Sequence, residues 1–524
     1  MLTKISFESY ARKSMDRLKK VFSTESVDYV TFSLSCAAVI FVTFFILYDA
    51  DFAKQFIATS YDQIVSVFGP YYLFLAIFSF FFLIILGFSK FGNYRLGGEN
   101  ILPEFSYFSW VGMLFCSGIG GGLVYWSGVE WSYYTNIPPF GIEPGSEESY
   151  SLASAYGLFH WGVSAWAIYG IPAVALSIAF YKYNLNTLRL SSSLRGLGIK
   201  NIENTIFGRA IDLIFVITTV GAAGGTIGSY LPMLGLGFSD IFNLERSFAL
   251  DLTVLALCVS LFGFSVYSGL KKGIKRLSDL NIILALIFLS IVLVIGPIDQ
   301  IVSNSIRGLH YSVVYFWDMS TLGIKEQSDF ADAWTIFYWA WWVAFGPLVA
   351  LFVARISKGR TLRELIFGML VFGSIGTWLF YMILGGYSMS LDQREILSVV
   401  NTLETKGHAA TAIEVIKTMP FELLMLLLFC TITVIFVTTS YDSMSFVIAY
   451  HVQKDATEQK DPDKEMRLFW ALILGVLPAA LIIYSDHTVA TDLILLTSLP
   501  LLFIYPLMAI SIIKDLMFNK DIDE

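Results

Sequence analysis

Charge is scarce in this sequence. Charged residues make up 15% of its 524 positions, against about 25% in a soluble globular chain, which excludes a fully solvated fold. Basic residues are scarcer than acidic ones, 34 Lys+Arg against 42 Asp+Glu. Without a basic footprint the chain is not built to hold nucleic acid. Cysteine is limited to Cys36, Cys116, Cys258 and Cys430, each inside an apolar run and none at metal-ligand spacing. That excludes a disulfide framework and a zinc site. The five histidines are scattered, and no nucleophile–base or metal constellation marks an enzyme. Nor does a charged ring stand out as a channel filter would. A cleavable signal is missing too. The first apolar run has no small-residue cleavage site, and the polar stretch before it (Lys4, Arg12, Lys13, Arg17, Lys19, Lys20) is longer than a signal n-region.

What fills the chain is apolar and aromatic: 56% hydrophobic, 16% aromatic, mean hydropathy +0.68. A bilayer core takes roughly 20 apolar residues per helix. Segments of that kind lie near 28–49, 70–89, 109–135, 152–182, 209–238, 249–269, 279–297, 329–356, 361–389, 419–451, 468–485 and 489–514. They predict an all-α polytopic membrane protein of about twelve spans, with tails at 1–27 and 515–524 and one transmembrane domain over 28–514. Residues 300–317 have apolar spacing with polar interruptions, the pattern of an amphipathic interfacial helix. About 27 of the 34 Lys+Arg fall in the tails and alternate loops of one side. The positive-inside rule places that side, and both termini, in the cytoplasm. Glu143, Glu147 and Glu148 lie in a loop of the other side that has no Lys or Arg.

Chemistry concentrates at four places. Segment four contains Phe159-His160-Trp161 with Trp166 and Tyr169; segment eight contains Trp334, Tyr338, Trp339, Trp341 and Trp342. Trp161 and Tyr169 are eight apart and share a helical face. A cation without N–H donors is held by ring quadrupoles, each worth about 0.5–2 kcal/mol, although single Trp and Tyr residues also form interfacial belts. The glycine run from Gly118 to Gly122, followed by Tyr125 and Trp126, either packs helices closely or unwinds one to face a ligand. Gly346-Pro347 in segment eight is a second expected interruption. Thr438-Thr439-Ser440 in segment ten offers hydroxyls for a hard-oxygen ion shell or for bonds back to its own helix, with Asp442 placed to pair with a loop cation. The basic turn from Arg355 to Arg363 is explained by sidedness.

At these residues the sequence resembles the betaine/choline/carnitine transporter family. Trp334 to Trp342 followed by Ala354 to Glu364 resembles the family signature, Phe159 to Tyr169 its segment-four aromatic motif, and Gly269 to Asp279 another family stretch. The resemblance covers nearly the whole chain. It implies a LeuT-type five-plus-five inverted repeat after two leading helices, alternating access, a homotrimer in the inner membrane, and no enzymatic activity. Carried over by position, it implies that Trp161, Trp166, Tyr169 and Trp342 form the substrate box, with Trp341 and Tyr125 on the substrate path. It also implies sodium as coupling ion, held by the Thr439 and Ser440 hydroxyls and by backbone carbonyls of Cys116, Ile119 and Phe436. Thr219 matches one residue of a second sodium position, where Ala223 replaces a hydroxyl.

Other departures pull in two directions. Phe345 replaces a tryptophan of betaine symporters, and Ser164-Ala165 a more typical His-Pro. The loop from Tyr133 to Gly141 is similar to that of the sodium-independent carnitine/butyrobetaine antiporter, whose ion-substituting methionine and arginine correspond to Val349 and about Lys275 here. Gly122 stands where choline carriers have an aspartate. The expectation is sodium-coupled symport of a betaine- or carnitine-like zwitterion, for osmotic protection or nutrition. The alternatives are sodium-independent exchange and carriage of a dimethylsulfonium zwitterion.

Overall fold

A computed structural model describes residues 15, 18–23, 25–117, 120–267, 271–325, 327–454, 461–483 and 488–518, with the backbone alone at 265, 267 and 271–276. The described residues are helices and connecting turns, as lipid demands, because a helix satisfies its backbone groups within one segment. In chain order the helices are α1 Tyr29–Tyr48, α2 Ala50–Phe88, α3 Tyr107–Ser117, α4 Gly121–Trp126, α5 Glu130–Asn136, α6 Glu147–His160 and α7 Val163–Lys182. Then follow α8 Ile206–Phe242, α9 Phe248–Tyr267, α10 Lys271–Ile295, α11 Ile298–Val314, α12 Phe316–Thr321, α13 Ile336–Ile356, α14 Leu362–Gly368, α15 Ser374–Phe380 and α16 Gly386–Gln393. The last are α17 Val399–Lys406, α18 His408–Lys417, α19 Glu422–Val452, α20 Lys464–Leu481, α21 Thr488–Leu502 and α22 Ile504–Met517.

Starts are set by side-chain caps. Asp28, Asp49 and Thr205 accept from the backbone N–H of Val30, Phe52 and Gly208 at 3.2, 3.0 and 3.0 Å. Thr361 and Glu364 close a reciprocal capping box. Among the described residues nine helical stretches are long and apolar enough to cross a bilayer. Three expected segments are helical but fall short of that measure: 109–135 is divided among α3, α4 and α5, while α9 and α20 are shorter or less apolar. Large apolar side chains face outward, Phe41, Phe74 and Phe88 among them, where water would penalise them and lipid does not. The expected amphipathic segment is α11, which buries Ile301 and exposes Val302, Ile306 and Val313.

Two interruptions shape the interior. The first lies between α3 and α4, where Gly120 is extended before α4 begins; Gly118 and Ile119 lie outside the described residues. The second divides segment four at Trp161-Gly162, between α6 and α7. The interruption expected at Gly346-Pro347 is absent, since α13 runs through both residues. Pro347 has no N–H, so the Val343 carbonyl four residues earlier loses its helical donor. The Tyr505 hydroxyl of α22 supplies a substitute, donating to that carbonyl at 3.2 Å.

The basic turn is tied down rather than loose. Gly359 N–H donates to Leu96 O and Leu96 N–H to Arg360 O, both at 2.9 Å. Arg360 is buried, lies 4.9 Å over the Trp110 ring, and donates to Phe105 O at 2.8 Å. Asp442 pairs with Arg467, a cation of the first turn of α20 where the sequence predicts a loop cation.

Candidate functional site

Segments four and eight meet face to face. Trp161 follows the end of α6 and Tyr169 sits two turns into α7, while Trp341 and Trp342 lie on α13. The Trp161 and Trp342 rings are 4.8 Å apart at 75°, Tyr169 and Trp342 5.7 Å at 87°, and Trp161 and Trp341 5.8 Å at 74°. Trp341 and Trp342 stack at 5.4 Å and 10°. Trp166 is 5.5 Å from Tyr169 and packs on the bare backbone of Gly373. Each near-perpendicular pair sets the positive edge of one ring on the negative face of the next. Such faces are the ones an onium group can take.

A buried carboxylate holds this cage from behind. Glu130, the first residue of α5, is fully buried. Its Oε1 accepts from Tyr134 OH at 2.7 Å and its Oε2 from Trp161 Nε1 at 3.1 Å. Tyr338 and Tyr381 donate to the same Oε2. Every one of these partners is a donor, the set an ionised carboxylate accepts. His160 extends the network, with Nδ1 3.0 Å from Tyr134 Oη and Nε2 3.1 Å from Thr335 Oγ1. Because the Tyr134 proton goes to Glu130, His160 Nδ1–H donates to the Tyr134 oxygen and Thr335 O–H donates to Nε2. Trp342 Nε1 donates to His160 O at 2.8 Å and Thr377 Oγ1 to Trp161 O at 2.5 Å. Trp161 is thereby fixed at ring and backbone, and Trp342 at its ring.

A chain of rings leads from the cage to the surface. Trp126 is 6.3 Å from Trp341 and 6.1 Å from Trp334. Tyr125 is not in the cage. It stacks on His408 at 4.1 Å, lies 5.2 Å from Tyr230, and lines an open cavity of about 790 Å³ with Tyr133, Trp334 and His408. Much of the remaining lining comes from α8, α17 and α18. Gly122 abuts the cage, and a Cβ there would stand 2.8 Å from Trp161.

The expected ion-binding residues are partly gathered. Phe436 of α19 packs beside Gly121, 3.6 Å from where a Cβ would sit, so α19 meets the α3–α4 interruption. Thr439 Oγ1 donates to Ile435 O at 3.0 Å and Phe436 O at 3.1 Å, and its lone pairs remain able to face a cation. Ser440 follows half-buried and Cys116 ends near the same interruption in α3. Thr219 Oγ1 bonds back to Phe215 O at 2.8 Å, and Ala223 is buried without a hydroxyl. Phe345 borders the cage, 6.5 Å from Trp341. Val349 is half-buried, and the Lys275 side chain lies outside the described residues.

Sequence reasoning missed Glu130 and His408. For Glu130 a signal existed: it is the sole charged residue between 105 and 142, and an ionisable group within a span marks function by default. For His408 there was none, because only the fold brings α18 against α4.

Comparison with known proteins identifies the family. A family model described as BCCT, betaine/carnitine/choline family transporter, matches residues 30–521. The chain is 32% identical to a carnitine transporter of Acinetobacter baumannii (strain ATCC 19606) over 87% of its own length and 83% of the relative's. It is 30% identical to an uncharacterized transporter, YeaV, of Escherichia coli (strain K12) over 80% of its length and 88% of that protein's. With the family matched along nearly its whole length, the chain belongs to the betaine/carnitine/choline transporters, multi-pass membrane carriers and not enzymes.

Proposed function

We propose that this carrier imports a quaternary-ammonium zwitterion, glycine betaine or a carnitine-like solute, across the cytoplasmic membrane by sodium-coupled symport. The observation that carries the reading is the convergence of Trp161, Tyr169, Trp341 and Trp342 from two facing helices. A trimethylammonium group cannot hydrogen-bond, so ring faces are its natural ligands. The Glu130 carboxylate behind Trp161 adds negative potential on the same side. The matched carnitine transporter supports the same solute class. The open cavity faces outward, because the basic turn and loops lie on the other side.

Sodium would be held by Thr439, Ser440 and the carbonyls of Cys116, Ile119 and Phe436, where α19 meets the α3–α4 interruption. Bound there, it would favour the conformer that binds solute, and the linkage is reciprocal. One site fits better than two, since Thr219 has only Ala223 beside it where a second hydroxyl is needed. That deficit also favours the second reading, sodium-independent exchange. Purified protein in liposomes separates them. Symport predicts saturable uptake of labelled betaine or carnitine that falls when potassium replaces sodium. Exchange predicts equal rates in both and efflux only with solute outside. Trp342→Ala, which removes a ring face and leaves the His160 carbonyl without its indole donor, should weaken apparent affinity about tenfold or more. Wild-type affinity in that variant would overturn the cage assignment.

A further inference from the structure

His408 opens α18 directly after Gly407, whose φ of +79° with extended ψ is a conformation open to glycine. This placement turns the imidazole inward, where it is buried. Its ring lies parallel to Tyr125 at 4.1 Å and 21°, and to Tyr133 at 5.9 Å and 19°. Trp126 meets it edge-on at 4.7 Å. Nε2 is 2.9 Å from Tyr125 O, and a carbonyl only accepts, so Nε2 carries the proton. In the neutral ring Nδ1 accepts from Tyr133 OH, which lies 3.3 Å away. The imidazole therefore ties α18 to both α4 and α5, and it lines the open cavity together with Tyr125 and Tyr133.

Other ionisable groups around this cavity are largely tied up in pairs. Asp240 of α8 pairs with Lys417, and Lys406 with Glu414, each at 2.9 Å. Arg246 faces Asp251 at 3.5 Å, and Glu404 accepts from Asn136 at 2.8 Å. Asp329 lines the wall before α13, and Tyr230 of α8 faces Tyr125. A proton added at Nδ1 would convert an acceptor into a donor facing Tyr133 OH. It would also place a cation flat against the two rings that an onium group would meet on its way in.

We propose that His408 is a proton-sensitive positioning residue of the open cavity. Neutral, it stacks on Tyr125 and Tyr133 and fixes the rings that the incoming onium group meets; protonated, it sets a positive charge against those same rings, which repels the onium group and competes for their quadrupoles. The proposal rests on the onium reading above. The trimethylammonium group keeps its charge at every pH, so a pH effect on entry reports the protein.

The test is uptake of labelled carnitine and betaine by the full chain in liposomes, with the external pH varied between about 5 and 8 and the internal pH fixed. In the wild type the apparent KM should rise about tenfold toward acid, the scale of one lost cation–ring contact. His408→Gln keeps a donor and an acceptor but cannot take the charge, so its KM should be nearly flat. His408→Lys should show the raised KM throughout. A His408→Gln profile that parallels the wild type overturns the proposal. His408→Asn, checked for monodispersity, replaces it should the glutamine variant fail to fold. Histidine ring NMR gives a readout independent of solute: the line lost in His408→Gln should report the Nε2–H tautomer at pH 8 and titrate toward acid. If neither solute is taken up at any pH, the onium reading fails by itself. A line with the other tautomer, or one that does not titrate, then sinks the His408 assignment separately.

Discussion

At the scale of single residues, the cage depends on Glu130 more than on any ring. Four side chains, Tyr134 of its own helix and three from further parts of the chain, donate to one carboxylate, so its oxygens fix the angle of Trp161 and the positions of Tyr338 and Tyr381. Glu130→Gln keeps the shape but turns one acceptor into a donor aimed at donors. Each buried polar group left unsatisfied costs about 1–3 kcal/mol. The variant should lower the melting temperature in detergent and weaken solute affinity together. Glu130→Asp should retain the charge and lose part of the geometry, falling between the two. A glutamine variant with wild-type affinity and melting would show that the network is ornamental. None of this was legible from Trp161 alone: spacing put Trp161 and Tyr169 on one face, but it could not say what held the indole N–H.

At the scale of elements, the placement of breaks decides which helix can bend. Gly346-Pro347 reads in sequence as an interruption of segment eight, yet α13 is continuous there. The reason is tertiary, because Tyr505 of another helix donates to the carbonyl that Pro347 leaves bare, and the missing Cβ at Gly346 lets Tyr505 approach. Tyr505→Phe should remove about 1–3 kcal/mol of stabilisation, seen as a lower melting temperature. Hydrogen exchange should rise around Val343, with little change in α19. Unchanged exchange there would mean that α13 does not rely on this donor. The break that does occur in segment four, at Trp161-Gly162, lies beside the cage. A glycine in an aromatic run is an ambiguous signal, since it equally serves close packing.

At the scale of the whole molecule, the two faces differ in kind. One carries the turn around Arg360, sewn to residues 94–105 and to the Trp110 ring; the other carries the open cavity ringed by Asp240, Glu404, Lys406 and Lys417. If the basic face is cytoplasmic, a cysteine at Lys358 should react with an impermeant maleimide only from inside, and one at Glu404 only from outside. The reverse pattern would invert the proposed direction of opening. The sequence by itself determined the membrane class, the helical content and the aromatic character of segments four and eight, because apolar length and ring composition are local properties that lipid constrains directly. Only the tertiary structure decided that Glu130 stands behind Trp161, that His408 joins α18 to α4 and α5, and that Tyr505 keeps α13 whole. Those contacts join residues 31 to 283 positions apart, and a partner that far along the chain leaves no period or spacing to read.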